Sequence, residues 1–141
     1  MSKPNEKPAG QIAACITDQK SAWSVLNESM VLAREMCSEL RLIICQSIIG
    51  NECSPEATRN FVEKLQHAAR RSCDESGVKV SIETLDCGSR EASRVKKIIA
   101  ESSIELLVLT DSLPSNRLAR LLTRKAENIA RSCSCSVLLV R

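Results

Sequence analysis

Four arginines in the last third of the chain are spaced so that their side chains could bind one ligand together. Arg117, Arg120, Arg124 and Arg131 follow one another at intervals of three, four and seven residues, so in a helix they share one stripe. Guanidinium groups on one stripe can hold a phosphate or another anion through paired hydrogen bonds. The same spacing is typical of a solvated face with Glu127 paired to an arginine. We favour this second interpretation, because cations near a helix N-terminus oppose its dipole.

The positive charge of the chain is concentrated around these arginines. Residues 112–132 hold five basic residues and one acidic residue, whereas the net charge of the whole chain is only +3. One short stripe makes few contacts with the phosphates of duplex DNA. One Trp, one Phe and no Tyr are too few rings to stack single-stranded nucleic acid or sugars. The composition therefore disfavours nucleic acid as a partner.

Few other side chains suggest catalysis. Asp18 and Asp111 each follow a predicted strand, and two carboxylates at one sheet edge can bind a cation or act as acid and base, but helix N-capping explains each more simply. His67, the single histidine, lies between the inward positions 65 and 68 of a predicted helix, which favours a structural role at the rim. Phosphate-loop, dinucleotide-binding and serine-hydrolase motifs are absent from the sequence. We therefore predict no catalytic residues and no enzymatic activity.

The cysteines are numerous but do not have the spacing of a metal site or a disulfide framework. No C-x-x-C occurs, and one histidine cannot complete a zinc set. The N-terminal residues have no apolar signal segment and no apolar run is long enough to span a membrane, so we expect a cytoplasmic protein whose thiols fill core space. Cys133 is an inward position of the last predicted helix, and the sequence leaves its reactivity open. The eight are Cys15, Cys37, Cys45, Cys53, Cys73, Cys87, Cys133 and Cys135.

The hydrophobic pattern alternates short apolar runs with longer amphipathic stretches. The runs predict strands at residues 11–17, 42–49, 78–85, 105–110 and 136–140. Four amphipathic stretches between them predict helices: the first starts near Asp18 and has Cys37 and Leu40 among its inward positions, and the second stops at Gly77. This order predicts the α/β class, with a single-domain open parallel five-stranded sheet sandwiched by four helices. We expect residues 1–10 to be a disordered tail and residues 11–141 to be the domain.

Ligands of such sheets bind beyond the carboxyl ends of the strands, where the strand order reverses. Several polar and basic side chains of this sequence fall there. The candidate ligand-binding residues are Thr17, Asp18, Gly88, Thr110, Asp111, Arg117, Arg120 and Arg124.

From residue 11 to the end, the chain resembles the universal stress proteins, small members of the adenine-nucleotide alpha-hydrolase-like superfamily. The order and lengths of the elements carry the resemblance, together with the turn TLDCGS and the strand ELLVLT. Its most specific part is the ending KAENIARSCSCSVLLVR, in which Ala126, Glu127, Cys135 and Val137 match the family's Ala-Glu helix and Cys-x-Val strand without a gap. The resemblance implies the universal stress protein fold.

The family's nucleotide site is altered at every position that the resemblance identifies. In nucleotide-binding members an Asp after the first strand contacts adenosine, but that position is Thr17 here, with Asp18 displaced by one residue. The phosphate loop of such members is Gly, two residues, Gly, nine residues, Gly, then Ser or Thr. Its glycine positions are Thr110, Leu113 and Thr123 here, and its hydroxyl position is Arg124. Side chains at these sites narrow the pocket and restrict the backbone, which argues against the family's way of binding phosphates.

The last predicted strand suggests a partner, because an apolar, uncharged strand at a sheet edge is a liability unless it is covered. In universal stress proteins the resembling strand pairs with its counterpart across a two-fold axis. The resemblance therefore implies a homodimer through Val137, Leu138, Leu139 and Val140. Coverage of this edge within the monomer is the alternative.

These observations predict a homodimeric regulatory or stress-response protein that resembles universal stress proteins, does not hydrolyse nucleotides, needs no cofactor and acts through protein partners. The alternative is a small-ligand sensor that binds ATP, AMP or another anion in a site rebuilt around arginine.

Overall fold

The computed structural model describes residues 10–50, 53–86, 90–110 and 136–140. The expected N-terminal tail, apart from Gly10, lies outside the described residues. So do Gly88, Asp111 and the predicted helix that carries the arginines.

Five parallel strands form one sheet in the order β3-β2-β1-β4-β5. Their bounds are β1 Gln11–Ile16, β2 Glu39–Cys45, β3 Val80–Leu85, β4 Ile104–Thr110 and β5 Ser136–Val140. The predicted α/β fold with a five-stranded parallel sheet is confirmed. The chain first runs outward from β1 to β3 and then returns to the other side of β1, so the strand order reverses between β1 and β4.

The described helices are α1 Gln19–Glu35, the short α2 Gln46–Ile49, α3 Pro55–Ser76 and α4 Glu91–Glu101. Three of the four predicted amphipathic helices are therefore observed, and the fourth lies outside the described residues. Gly77 ends α3 as predicted: its φ is 77°, and its N–H donates to the carbonyl of Cys73 at 2.8 Å. None of the helices in the described ranges is long and apolar enough to cross a membrane.

Several predicted boundaries are wrong, most of all around the second strand: β2 begins at Glu39 instead of residue 42, and β3 begins at Val80 instead of residue 78. β2 ends at Cys45 and residues 46–49 are helical, because a continuous apolar run does not mark where a strand gives way to a helix. The first helix ends at Glu35, so Cys37 and Leu40 are not inward helix positions. Cys37 is exposed and has a φ of 52°, which a right-handed helix cannot contain, and Leu40 is buried in β2 instead.

The two faces of the sheet bury separate apolar clusters. Alternate residues of β1 serve both faces: Ile12, Ala14 and Ile16 pack with α1 and α3, whereas Ala13 and Cys15 pack with α4. β1 is thus covered on both sides, which explains its nearly continuous apolar sequence.

The single Trp and the single Phe of the chain meet on the outer side of the α1 and α3 layer. The rings of Trp23 and Phe61 pack edge to face, with centroids 6.0 Å apart and planes 80° apart. Trp23 is 40% exposed, so this contact lies at the surface. It joins two helices that come from different strand connections.

Candidate functional site

Thr17 lies at the reversal point of the sheet, directly after the carboxyl end of β1. Its side chain is only 2% exposed, and its hydroxyl has no hydrogen-bond partner among the described residues. Burying a hydroxyl without a hydrogen-bond partner lowers the stability of the folded protein by about 1–3 kcal/mol, because the hydroxyl loses its hydrogen bonds to water. Thr17 therefore carries hydrogen-bonding capacity that the described fold does not use.

Asp18, the next candidate, is the N-cap of α1. One carboxylate oxygen accepts two hydrogen bonds of 2.7 Å, from the backbone N–H and from the hydroxyl of Ser21. Its extended backbone, with φ −149° and ψ 163°, is the usual N-cap conformation. The capping role predicted for Asp18 is confirmed, and it holds this carboxylate at the start of the helix.

A further polar contact joins the carboxyl ends of β2 and β3. The hydroxyl of Ser47, in α2, donates to the carboxylate of Asp86, which directly follows β3, at 2.6 Å. The two residues are 39 positions apart in sequence, so local patterns do not reveal their contact. Its only signal is topological, because parallel strands bring their carboxyl ends to one edge.

The cysteines of this part of the fold are thiols in different surroundings. Cys15 and Cys45 are fully buried, and their sulfur atoms lie 3.7 Å apart on the α4 face, which fits the predicted core role. Cys53 is half-buried: it accepts a hydrogen bond of 3.1 Å from the Gln19 amide and lies 2.9 Å from the Thr58 hydroxyl. It thus links the start of α1 to α3. Nowhere in the described part of the chain do three or more metal-ligating side chains come together.

Of the remaining predicted ligand residues, Thr110 is the one that falls within the described ranges. Thr110 ends β4, beside the reversal point, but only its backbone is described. Gly88, Asp111, Arg117, Arg120 and Arg124 lie outside the described residues.

The strand predicted to form the dimer is at the edge of the sheet. β5 pairs with β4, and no strand lies on its other side among the described residues. Leu138 and Val140 pack, partly buried, against the α1 and α3 cluster, and Val137 packs against the α4 cluster. Of Leu139 only the backbone is described.

His67 is exposed on α3, as the predicted rim position requires. It lines a surface hollow of 420 Å³ with Asn60, Glu63 and Lys64. The four residues follow one another along one face of α3, and none of the other described elements lines the hollow.

A second cleft, at the amino ends of the strands, was not anticipated from the sequence. Its volume is 330 Å³. Its lining residues are Gln11, Glu39, Leu40, Cys73, Lys79, Val80 and Ser81, and we call it the amino-edge cleft. They come from three strand starts and from α3, so local sequence patterns do not bring them together.

The architecture described above is that of the universal stress proteins. A universal stress protein family member from Burkholderia pseudomallei has a TM-score of 0.64 and 17% identity, with 93% of this chain and 95% of that chain covered. A universal stress protein in complex with cAMP has a TM-score of 0.59 and 17% identity, covering 94% and 98%. The universal stress protein from Archaeoglobus fulgidus in complex with dAMP has a TM-score of 0.59 and 13% identity, also covering 94% and 98%.

These similarities establish the fold: the chain has the universal stress protein fold over nearly its whole length. No protein-family model matches the sequence, and no curated protein matches it either. The resemblance seen in the sequence is therefore confirmed at the level of the fold.

Proposed function

We propose that this protein is a regulatory protein of the universal stress protein type, which acts as a homodimer through β5 and does not hydrolyse nucleotides. The observation that carries the proposal is the position of β5. An apolar strand with no charged residue forms one edge of the sheet, and its outward backbone groups have no neighbouring strand among the described residues. A second copy of the same strand, related by a two-fold axis, would cover this edge.

The dimer is tested by measuring the molar mass in solution by light scattering. The wild-type protein is expected at twice the chain mass of 15.5 kDa. Leu139→Glu, which brings a charge into the edge, is expected to give monomer or aggregate. Ser81→Glu is the matched control, because Ser81 is an exposed residue of β3, the strand at the opposite edge. A wild-type monomer, or a Leu139→Glu protein that is still a normal dimer, would refute the proposal.

The absence of hydrolysis is proposed from the state of the candidate groups. Asp18, which follows β1 at the reversal point, caps α1 by accepting two hydrogen bonds from Ser21. The sequence departs from the family's phosphate loop at all three glycine positions. Release of inorganic phosphate from Mg-ATP by the purified protein should not exceed the rate without protein; a rate that rises in proportion to protein concentration would contradict this part.

A second candidate function is the sensing of a small ligand such as AMP, ATP or another anion. The observation in its favour is the Thr17 hydroxyl at the reversal point of the sheet, which is buried and accepts or donates no hydrogen bond within the described part of the chain. Two proteins with the same fold are described as complexes with cAMP and dAMP. A neutral hydroxyl in place of a carboxylate would also favour an anionic group, because it can donate a hydrogen bond without charge repulsion.

Calorimetric titration with AMP and with Mg-ATP separates the two candidates. Micromolar binding that weakens in Thr17→Val and in Arg124→Ala would support a sensor rebuilt around these residues. No heat at millimolar ligand would leave the homodimer as the working form of the protein.

We also propose a reducing, cytoplasmic location. The neighbouring sulfur atoms of Cys15 and Cys45 are 3.7 Å apart as free thiols, although a disulfide bond would require about 2.05 Å. Both belong to the packed α4 cluster, so the core is built around the reduced form. Mass analysis of protein alkylated in cell lysate that is denatured in the presence of the thiol reagent should find both thiols reduced; a disulfide bond between them would contradict this location.

A further inference from the structure

The amino-edge cleft lies at the end of the sheet opposite to Thr17, so it is a different place from the site considered above. Three strands begin there: Gln11 starts β1, Glu39 starts β2, and Lys79 directly precedes β3. Adjacent strands hold these residues side by side, since Gln11 is the register partner of Glu39, and Leu40 pairs with Val80.

The Gln11 amide is oriented by its neighbour and left with an unused acceptor. Its nitrogen donates to the Glu39 carboxylate at 3.4 Å, which assigns the other amide atom as the oxygen. This Oε1 atom is buried and has no hydrogen-bond partner among the described residues. Because Gln11 lines the cleft, this oxygen is an acceptor that a donor bound there could use.

Two opposite charges line the same cleft. Glu39 is half-buried and Lys79 is exposed. Within the described ranges, neither of them forms an ion pair, with each other or with another residue. The cleft therefore presents one anion and one cation whose charges are not neutralised by any described residue. A zwitterion would satisfy both, whereas a simple anion or cation would satisfy only one.

The rest of the lining defines the size and polarity of the space. Leu40, Cys73 and Val80 supply an apolar wall, and the exposed Ser81 adds one hydroxyl. The volume of 330 Å³ corresponds to about ten water-sized groups, since each water occupies about 30 Å³ in the liquid. This space accommodates a small molecule with an apolar side chain.

We propose that the amino-edge cleft binds a free α-amino acid with an aliphatic side chain. The ammonium group of the ligand would donate to the Glu39 carboxylate and to Gln11 Oε1. Its carboxylate would accept from the Lys79 ammonium and the Ser81 hydroxyl, while its side chain would pack on the apolar wall. This cleft involves neither the dimer edge nor the reversal point, so the tests of this proposal are independent of the tests of the proposed function.

L-leucine is the probe, because it has both charged groups and an aliphatic side chain of suitable size. Two-dimensional NMR spectra of the full-length protein are recorded during a titration with L-leucine. Saturable shifts with a Kd at or below about 1 mM are expected, centred on the backbone amides of the three strand starts. The matched probes 3-methylbutylamine, which lacks the carboxylate, and 4-methylpentanoate, which lacks the ammonium group, are each expected to bind at least about tenfold more weakly.

Two variants test the residues that hold the charges. Glu39→Gln and Lys79→Met are each expected to raise the Kd for L-leucine by about tenfold or more. Lys96→Met, which removes an exposed lysine from α4, is the matched control and should leave the Kd unchanged. Circular dichroism establishes that each variant is folded, and the comparison of the three probes on wild-type protein does not depend on any variant.

Several results would overturn the proposal. One is the absence of saturable shifts up to about ten times the expected Kd. Another is equal binding of L-leucine and its two analogues, and a third is unchanged binding by both folded variants. Shifts centred on Thr17 instead of the strand starts would assign leucine to the opposite end of the sheet and would equally refute it.

Discussion

Replacing Thr17 by valine is expected to make the protein more stable, which is unusual for a change at a fully buried position. Valine has nearly the shape of threonine, so the packing around the 2% exposed side chain is kept. The change removes a buried hydroxyl that has no hydrogen-bond partner among the described residues and replaces it with a methyl group. Removal of the unsatisfied hydroxyl should raise the free energy of unfolding by about 1–2 kcal/mol.

The matched control is Thr58→Val in α3. Thr58 is equally buried, at 3% exposure, but its hydroxyl donates to the carbonyl of Ser54 at 2.9 Å and lies 2.9 Å from the sulfur of Cys53. The same chemical change therefore removes a hydroxyl that is hydrogen-bonded in the folded protein, and it should lower the free energy of unfolding by about 1 kcal/mol. The two substitutions are predicted to have opposite signs.

Urea unfolding followed by circular dichroism measures both effects. With unchanged m-values, the midpoint should rise for Thr17→Val and fall for Thr58→Val. In thermal unfolding, the gain at Thr17 corresponds to a Tm increase of about 3–8 °C for a domain of this size. If Thr17→Val destabilises the protein as much as Thr58→Val does, the Thr17 hydroxyl has a partner in the folded protein, and the argument for a ligand-directed hydroxyl fails.

Three further perturbations have expected outcomes. Gly77→Ala should lower the free energy of unfolding, measured in urea, by about 1–2 kcal/mol. The φ of 77° is strained for a residue with a side chain, even though nothing lies within 4 Å of the added Cβ. An unchanged stability would contradict the left-handed backbone conformation of Gly77. Glu83→Gln should lower the free energy of unfolding by about 0.5–1 kcal/mol, since it weakens the partly exposed 2.9 Å ion pair with Arg41. This loss of stability should be smaller in high salt, and a loss that does not depend on salt would exclude an electrostatic origin. In native protein, a thiol reagent followed by mass analysis should modify Cys37 rapidly and Cys15 only on unfolding, and equal rates would contradict the described burial.

The fold is predictable from this sequence because its signals are local and repeat along the chain. Apolar runs alternate with amphipathic stretches, and that alternation alone indicates a parallel sheet with covering helices. Gly77 and Asp18 are local signals of the same kind, and both end or begin a helix as predicted. The errors occur where local patterns are uninformative: the apolar run from 42 to 49 fits a strand or a buried helix equally well, and only the tertiary structure divides it at Cys45.

The candidate sites are less predictable because they depend on which strands become neighbours. The sequence indicates Thr17 because it is the last residue of the first predicted strand, but the lack of a described hydrogen-bond partner for its hydroxyl is a property of the packed surroundings. The amino-edge cleft needs the register of β1, β2 and β3, which pairs Gln11 with Glu39 across 28 residues of sequence. Nothing in the periodicity of either segment indicates that an amide and a carboxylate will meet there.

The position of the first strand at the centre of the sheet has a consequence for how the chain folds during synthesis. β1 needs two neighbours, but β2 is made soon after it, whereas β4 begins only at Ile104. Until then, a nascent chain that has already paired β1, β2 and β3 exposes one apolar edge of β1 to water and to other chains. Contacts across such a long separation form slowly, because the entropy of closing the loop must be overcome first. The chain is thus most vulnerable to wrong pairing, and most in need of a chaperone, in the interval when three strands have left the ribosome and the fourth has not.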